Sequence, residues 1–258
     1  TPGEVKLLGM QWDRIHDVMH TNPINLNKDA NSKRTILQTI ASQYDIHNYN
    51  GPLMNRSRLF MHALQCDKDL DWDTVLSPDL LREWKNICHQ VNASPSIEIN
   101  RCVGSRTDPY RLIAFTDASK AIYGTVLYLY NLNTNTMSFV LAKNRLVNTK
   151  LDNKSIPSLE MQAILLGVEV MVDTYEDLSG KQCVVPINIV DMKLFTDSYV
   201  CISWLNSYVT RLDKMNNKSV FVMNRLDKIC KLCDNHPIKF EFVSGINNPA
   251  DCITRPLS

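Results

Sequence analysis

Up to about residue 100 the apolar residues recur at helical spacing. Beyond Gly104-Ser-Arg-Thr-Asp-Pro109, a cluster of turn formers, they recur at every second position. This change of period restricts the fold more than any other feature of the chain. It divides the 258 residues into two regions of ordinary domain size, 1–104 and 105–258, each long enough to bury its own core.

The first region is expected to be mainly helical. Val5 to Trp12 reads as a strand. Ile36, Leu37, Ile40 and Tyr44 then fall on one helical face after Ser32, an N-cap residue. A second amphipathic run covers Leu53 to Leu64. A third opens at Pro78 and carries Leu80, Trp84, Ile87 and Val91 as its stripe. In the second region Leu112–Thr116, Gly124–Tyr130 and Met137–Ala142 read as strands, with a polar turn between the last two. A helix follows from Pro157 with Leu159, Ala163, Leu166 and Val170 on its apolar face. Then come a strand at Met192–Thr196 running into a helix through Ser198, a helix over Ser219–Cys233, a strand at Ile238–Val243 and a short terminal helix. The order βββαβααβα predicts an α/β fold: a mixed five-stranded sheet flanked by helices, with an antiparallel trio and parallel strands joined by helical crossovers.

Composition excludes some classes. Hydrophobic residues make up 44% and charged residues 21%, as in globular proteins, and no apolar run approaches the roughly 18 residues that span a bilayer. No membrane partner is expected. The net charge of +1 means that any attraction for nucleic acid must be local. The eight cysteines lie mostly in apolar stretches, which reads as buried reduced thiols and an intracellular setting. Cys230-Lys-Leu-Cys233 with His236 lacks a second ligand pair for zinc and reads as helix packing. The chain opens with Thr-Pro rather than Met and has no signal peptide, as expected of a segment of a longer polypeptide.

Four acids stand where a core should avoid them. Asp117 ends the first strand of the second region in Ala-Phe-Thr-Asp-Ala-Ser. Asp197 ends the fourth in Leu-Phe-Thr-Asp-Ser. Glu160 is placed in the first turn of the helix after Pro157, and Asp251 at the start of the last helix in Asn-Pro-Ala-Asp. Strand ends and helix starts meet on one edge of a parallel sheet. Four carboxylates crowded there raise one another's pKa unless divalent cations neutralise them. Two such ions suit phosphodiester hydrolysis. For any one of these acids a turn or capping role is the simpler reading; the matching positions of all four favour a shared site.

The words around these acids are specific. Phe-Thr-Asp-Ala-Ser-Lys-Ala-Ile-Tyr-Gly124, Ala-Lys-Asn-Arg145, Ser-Ile-Pro-Ser-Leu-Glu160, Phe-Thr-Asp-Ser198, Phe-Val-Met-Asn-Arg225 and Asn-Pro-Ala-Asp251 resemble the ribonuclease H region of BEL/Pao-type LTR retrotransposon polyproteins. Leu-Leu-Gly-Met-Gln-Trp12, Ser-Lys-Arg-Thr-Ile-Leu37, Leu-Asp-Trp-Asp73 and Ile-Asn-Arg-Cys-Val103 resemble the stretch just upstream in those polyproteins. The resemblance covers nearly the whole chain. It implies a ribonuclease H-like sheet in 105–258, preceded in 1–104 by a thumb/connection-like, mainly helical region of a reverse transcriptase. The implied activity is two-metal cleavage of the RNA strand of an RNA–DNA hybrid. Asp117, Glu160, Asp197 and Asp251 would be catalytic and would hold two Mg²⁺, with Mn²⁺ able to substitute. The implied partners are the hybrid and the upstream fingers and palm of the same polyprotein, in a cytoplasmic particle. Two departures stand out. No Tyr-x-Asp-Asp polymerase signature is present, so DNA synthesis is not carried by this segment alone. Phe242-Val-Ser-Gly245 stands where relatives often have His-Val-Pro-Gly, and the histidine linked to product release is missing.

RNA–DNA hybrids are recognised through shape, 2′-hydroxyls and phosphates. Ala118, Ser119, Ser198 and Asn248 are the short groups expected to touch the substrate, and Lys143, Arg145, Arg255 and Lys120 the cations expected on phosphates. The alternative for the cations is a solvated surface, and for Asn248 a turn. Asp191 and Glu169 are candidates for supporting acids. Two other readings of the whole chain remain: a dormant retroelement-derived module that binds nucleic acid or a partner protein, and a related metal nuclease or integrase.

Overall fold

The computed structural model describes residues 4–7, 9–102, 104–147, 154–180, 184–209 and 219–255. Leu8 and Val103, which fall inside motifs quoted above, and Cys183 lie outside the described residues. The chain divides into two compact units, the first running to Cys102 and the second from Val103 to Arg255.

In the first unit, strands β1 (Glu4–Leu7), β2 (Met10–Asp13), β3 (Val18–His20) and β4 (Glu98–Asn100) form an antiparallel sheet in that order. The expected single strand Val5–Trp12 is two strands. Gly9 has φ +80°, a conformation that glycine reaches without strain, so the chain reverses there and Val5 pairs with Trp12. Helices α1 (Lys33–Ala41), α2 (Gly51–Cys66) and α3 (Pro78–Asn92) make up most of the regular structure. Ser32 caps α1 as expected: its hydroxyl accepts from the Thr35 amide, and the Thr35 hydroxyl accepts from the Ser32 amide. Tyr44 does not extend the stripe of α1, because the helix stops at Ala41 and the ring is exposed. Ile36, Phe60, Leu64, Trp84, Ile87 and Val91 form the core between the helices. The Phe60 and Trp84 rings stack at 5.8 Å, and the Trp84 indole donates to the Asn27 carbonyl at 3.0 Å, so the largest buried side chain leaves no polar atom unpaired.

The second unit contains β5 (Pro109–Ala118), β6 (Ile122–Asn131), β7 (Thr136–Leu146), α4 (Ile156–Ser179), β8 (Asn188–Thr196), α5 (Tyr199–Val209), α6 (Val220–Asn235), β9 (Ile238–Phe242) and α7 (Asp251–Thr254). This is the element order read from the sequence. The sheet order is β7-β6-β5-β8-β9, with antiparallel pairs from β5 to β7 and parallel pairs β5–β8 and β8–β9. The two faces differ. Leu112 and Ala114 of β5, Leu127 of β6, Leu194 of β8, the body of α4 and one side of α6 share the main core. On the other face Phe115, Val126, Tyr128, Phe139 and Ala142 form a thinner layer, closed by Ala250 and Ile253 of the last turns. Helix α4 is apolar on most of its circumference because it meets both the sheet and α6, which accounts for its buried Leu159, Ile164, Val168 and Met171. No helix among the described residues is long and apolar enough to cross a membrane. The cysteines are only partly as expected: Cys88 and Cys201 are buried, whereas Cys66 and Cys252 are exposed.

Candidate active site

The repeated word Phe-Thr-Asp is brought into register. In the parallel pair β5–β8, Phe115 lies beside Phe195 and Thr116 beside Thr196. The two phenylalanine rings stack at 5.2 Å and both threonines are buried. The next residue of each strand is an aspartate, so Asp117 and Asp197 emerge side by side. Period-two alternation turns both toward the face covered by α7.

The last turns of the chain supply the third acid. Asn248 is buried, and both ends of its amide are engaged: Nδ2 donates to the Thr116 carbonyl at 3.0 Å and Oδ1 accepts from the Ala250 amide at 3.1 Å. It fixes the final loop to β5 and so sets where Asp251, the first residue of α7, can stand. One turn later Thr254, also buried, donates from its hydroxyl to Asp117 Oδ2. Gly124, opposite Asp117 on β6, makes room for this helix: a β-carbon there would lie 2.7 Å from Ile253 Cδ1 and 2.9 Å from the Lys143 carbonyl.

Each of Asp117, Asp197 and Asp251 offers one carboxylate oxygen, and these three atoms lie within 4.8 Å of one another. Asp197 Oδ1 and Asp251 Oδ1 are buried and accept no hydrogen bond. Arg255 Nη2 comes within 3.3 Å of Asp251 Oδ1, from a side chain that is 65% exposed. Burial, and then the charge of Asp117, push the carboxyls of Asp197 and Asp251 above their ordinary range, with Arg255 offsetting part of the rise. Three converging carboxylates, with two buried oxygens that accept no hydrogen bond, are a donor set that a hard divalent cation satisfies.

Glu160 stands outside that group of three. Its carboxyl is raised chiefly by burial and then by Asp197 and Asp117, while the Ser198 hydroxyl facing it lowers it again. It therefore shares the same electrostatic site from the α4 side. It sits at the fifth helical position, in the second turn rather than the first, because α4 begins at Ile156.

The remaining candidates separate into framework and surface. The Ser119 hydroxyl accepts from the Ala121 and Ile122 amides and lies 3.0 Å from the Thr254 carbonyl, so it builds the β5–β6 turn and anchors α7. Ala118 is buried at the end of β5. Ser198 is buried and accepts from the Cys201 amide at 3.3 Å, at the start of α5. Lys120, Lys143 and Arg145 are exposed, the last two on the edge strand β7. Asp191 and Glu169 do not belong to the site: Asp191 pairs with Arg111 at 2.6 Å and Glu169 with Lys228. Thr254 was not singled out from the sequence. The available signal is its spacing, three residues beyond Asp251 and hence on the same face of the helix.

A family model described as "Pao retrotransposon-like RNaseH-like domain" matches residues 32–198, a span that holds Asp117, Glu160 and Asp197. Among solved structures, a foamy viral protease-reverse transcriptase in complex with RNA/DNA hybrid superposes with a TM-score of 0.56 at 10% identity, over 99% of this chain and 31% of that one. A foamy viral protease-reverse transcriptase dRH in complex with double-stranded DNA gives a TM-score of 0.56 at 10% identity, over 93% of this chain and 38% of that one. The chain thus spans about a third of the length of these structures. No curated protein matches.

Proposed function

This chain belongs to the Pao retrotransposon-like RNaseH-like domain family, and from that premise we propose that its second unit is a ribonuclease H endonuclease cutting the RNA strand of RNA–DNA hybrids. The observation that carries the reading is the convergence of Asp117, Asp197 and Asp251, with two buried carboxylate oxygens lacking a hydrogen-bond partner. Buried carboxylate oxygens without a hydrogen-bond partner cost stability, which a bound cation would recover. The donor set is all oxygen, which fits Mg²⁺ or Mn²⁺. Asp117, Asp197 and Asp251 would hold these ions, with Glu160 completing a second position. When bound, two such ions acidify water and neutralise charge on the phosphodiester and the leaving oxygen.

The chain's own residues supply positioning. Thr254 fixes the orientation of the Asp117 carboxylate, and Asn248 fixes the loop that delivers Asp251. Ser198 holds Glu160 toward the site. Ser119 and Ala118 shape the floor at the end of β5. Arg255 offsets the negative charge at the rim, and Lys120, Lys143 and Arg145 are the cations for flanking phosphates. Hydrolysis leaves a 3′-hydroxyl and a 5′-phosphate.

The first unit fits the thumb and connection of a reverse transcriptase, with the fingers and palm of the same polyprotein as partner and a cytoplasmic particle as setting. The test is cleavage of an end-labelled RNA–DNA hybrid with Mg²⁺ or Mn²⁺. Cutting of the RNA strand alone, lost in Asp197→Asn, is the expected result. Binding without cutting under both metals defeats it in favour of a dormant module, and cutting of duplex DNA in favour of an integrase-like nuclease.

A further inference from the structure

We propose that Tyr199 and Phe242 form a platform on which an unpaired nucleobase stacks beside the acid cluster, so that the site takes hybrids in which paired strands give way to an overhanging or frayed nucleotide. The proposal rests on the hydrolytic reading above and names a substrate class within it.

The two rings are 3.7 Å apart at 14°, a parallel stack. They are also open to solvent: Tyr199 is 67% and Phe242 37% exposed. Both are held by backbone that belongs to the acid cluster. Tyr199 opens α5 two residues after Asp197. Phe242 ends β9 opposite Thr196, and the Val243 amide donates to the Thr196 carbonyl at 3.0 Å. The following turn presses against the acid, since a β-carbon at Gly245 would lie 3.2 Å from Asp197 Oδ2. At its tip Ile246 is 94% exposed. The other ring pairs of this sheet, Phe115–Phe195, Phe115–Tyr128 and Tyr128–Phe139, sit in the packed layer beneath α7.

A flat ring stack with an open face binds flat partners. The faces of paired bases inside a duplex are already covered by their neighbours, so only an unpaired base offers a face to an aromatic side chain. A nucleotide next to the hydrolysed phosphate passes this rim, because Tyr199 follows Asp197 by two residues and Phe242 pairs with Thr196, the residue before Asp197.

The test uses the full chain and an RNA–DNA hybrid carrying a short single-stranded extension with 2-aminopurine, against a blunt hybrid of the same paired sequence. Stacking on the rings quenches 2-aminopurine. Quenching is expected with the wild type and with Tyr199→Phe, and is lost in Tyr199→Ala and in Phe242→Leu, which keeps an apolar side chain without the ring. KM for the extended hybrid rises about tenfold in the two ring-loss variants, with kcat and the blunt hybrid unchanged. Absence of quenching with the wild type overturns the platform. So does an equal rise in KM for both hybrids, which marks a sugar or backbone contact. A wild type that quenches and cuts neither hybrid leaves the platform standing and defeats the hydrolytic reading; one that cuts both equally without quenching does the reverse.

Discussion

The Thr254 hydroxyl donates to Asp117 Oδ2 across 137 positions of sequence, and both side chains are buried. The bond locks the last helix to the central strand and leaves the other carboxylate oxygen of Asp117 for the site. Thr254→Val keeps the shape and removes the donor. It is expected to cost about 1–3 kcal/mol of stability, the usual penalty for a buried polar group left unpaired, and to lower kcat more than KM. Thr254→Ser should restore most of both. Thermal unfolding with single-turnover cleavage measures the two effects, and an unchanged kcat in the valine variant would show that Asp117 is held by other means.

Asp197→Asn removes one of three neighbouring carboxylates that repel in a partly buried space. In metal-free buffer the variant is expected to melt a few degrees higher than the wild type, since about 1 kcal/mol corresponds to roughly 2–4 °C for a unit of this size. Added Mg²⁺ should raise the melting point of the wild type and leave the variant nearly unmoved. Equal Mg²⁺ shifts in both proteins would remove Asp197 from the cation site.

The carboxyls of Glu160, Asp197 and Asp251 all stand above their ordinary range, first because of burial and then because of their neighbours. In the window above that range the folded state therefore binds more protons than the unfolded chain, and stability falls as pH rises. Their contribution is complete below the ordinary carboxylate range and is lost as pH climbs through the raised values. Cation binding runs the other way because the ligands must be ionised. Calorimetry with and without Mg²⁺ at about pH 5 and pH 7 should show a larger Mg²⁺ stabilisation at the higher pH. A pH-independent Mg²⁺ shift would contradict this origin.

Gly124→Ala places a methyl group against Ile253 and the Lys143 backbone. Overpacking of this kind costs typically about 1–3 kcal/mol. Here relief requires displacing α7, and Asp251 moves with it. The substitution is expected to cut hydrolysis more severely than it lowers the melting temperature, with Mg²⁺ affinity, read by titration calorimetry, falling in parallel. Normal Mg²⁺ affinity in a stable variant would show that α7 can shift without carrying its acid away.

Much of this site is written locally. The strand period tells which residue ends β5 and β8, and a repeated Phe-Thr-Asp word becomes legible once the two strands are taken as parallel neighbours. What was not legible is either too short or too remote. Three-residue strands such as Val18–His20 and Glu98–Asn100 have no period to detect, and the hairpin at Gly9 interrupts what reads as one apolar run. The Ser119 hydroxyl looks available in sequence yet is consumed by its own turn, because the β5–β6 reversal needs an acceptor for two amides. Asp191 and Glu169 look like further acids until Arg111 and Lys228 are seen beside them. Partners far apart in sequence leave no local pattern: the spacing of Thr254 from Asp251 is local, but its bond to Asp117, 137 positions away, is not.

The three aspartates are contributed by one antiparallel-edged strand, its parallel neighbour and the final helical turn, so the charge cluster is a product of tertiary closure and of no single segment. Contacts so distant in sequence form late, after the loop entropy between them has been lost. A growing or partly unfolded chain therefore carries dispersed, hydrated carboxylates and no concentrated negative field. On the proposed reading, hydrolytic capacity and cation affinity would arise together, at the moment the last helix docks. Such a nuclease would couple its capacity to destroy RNA to completion of the fold, and the emergence of cation affinity would report on folding itself.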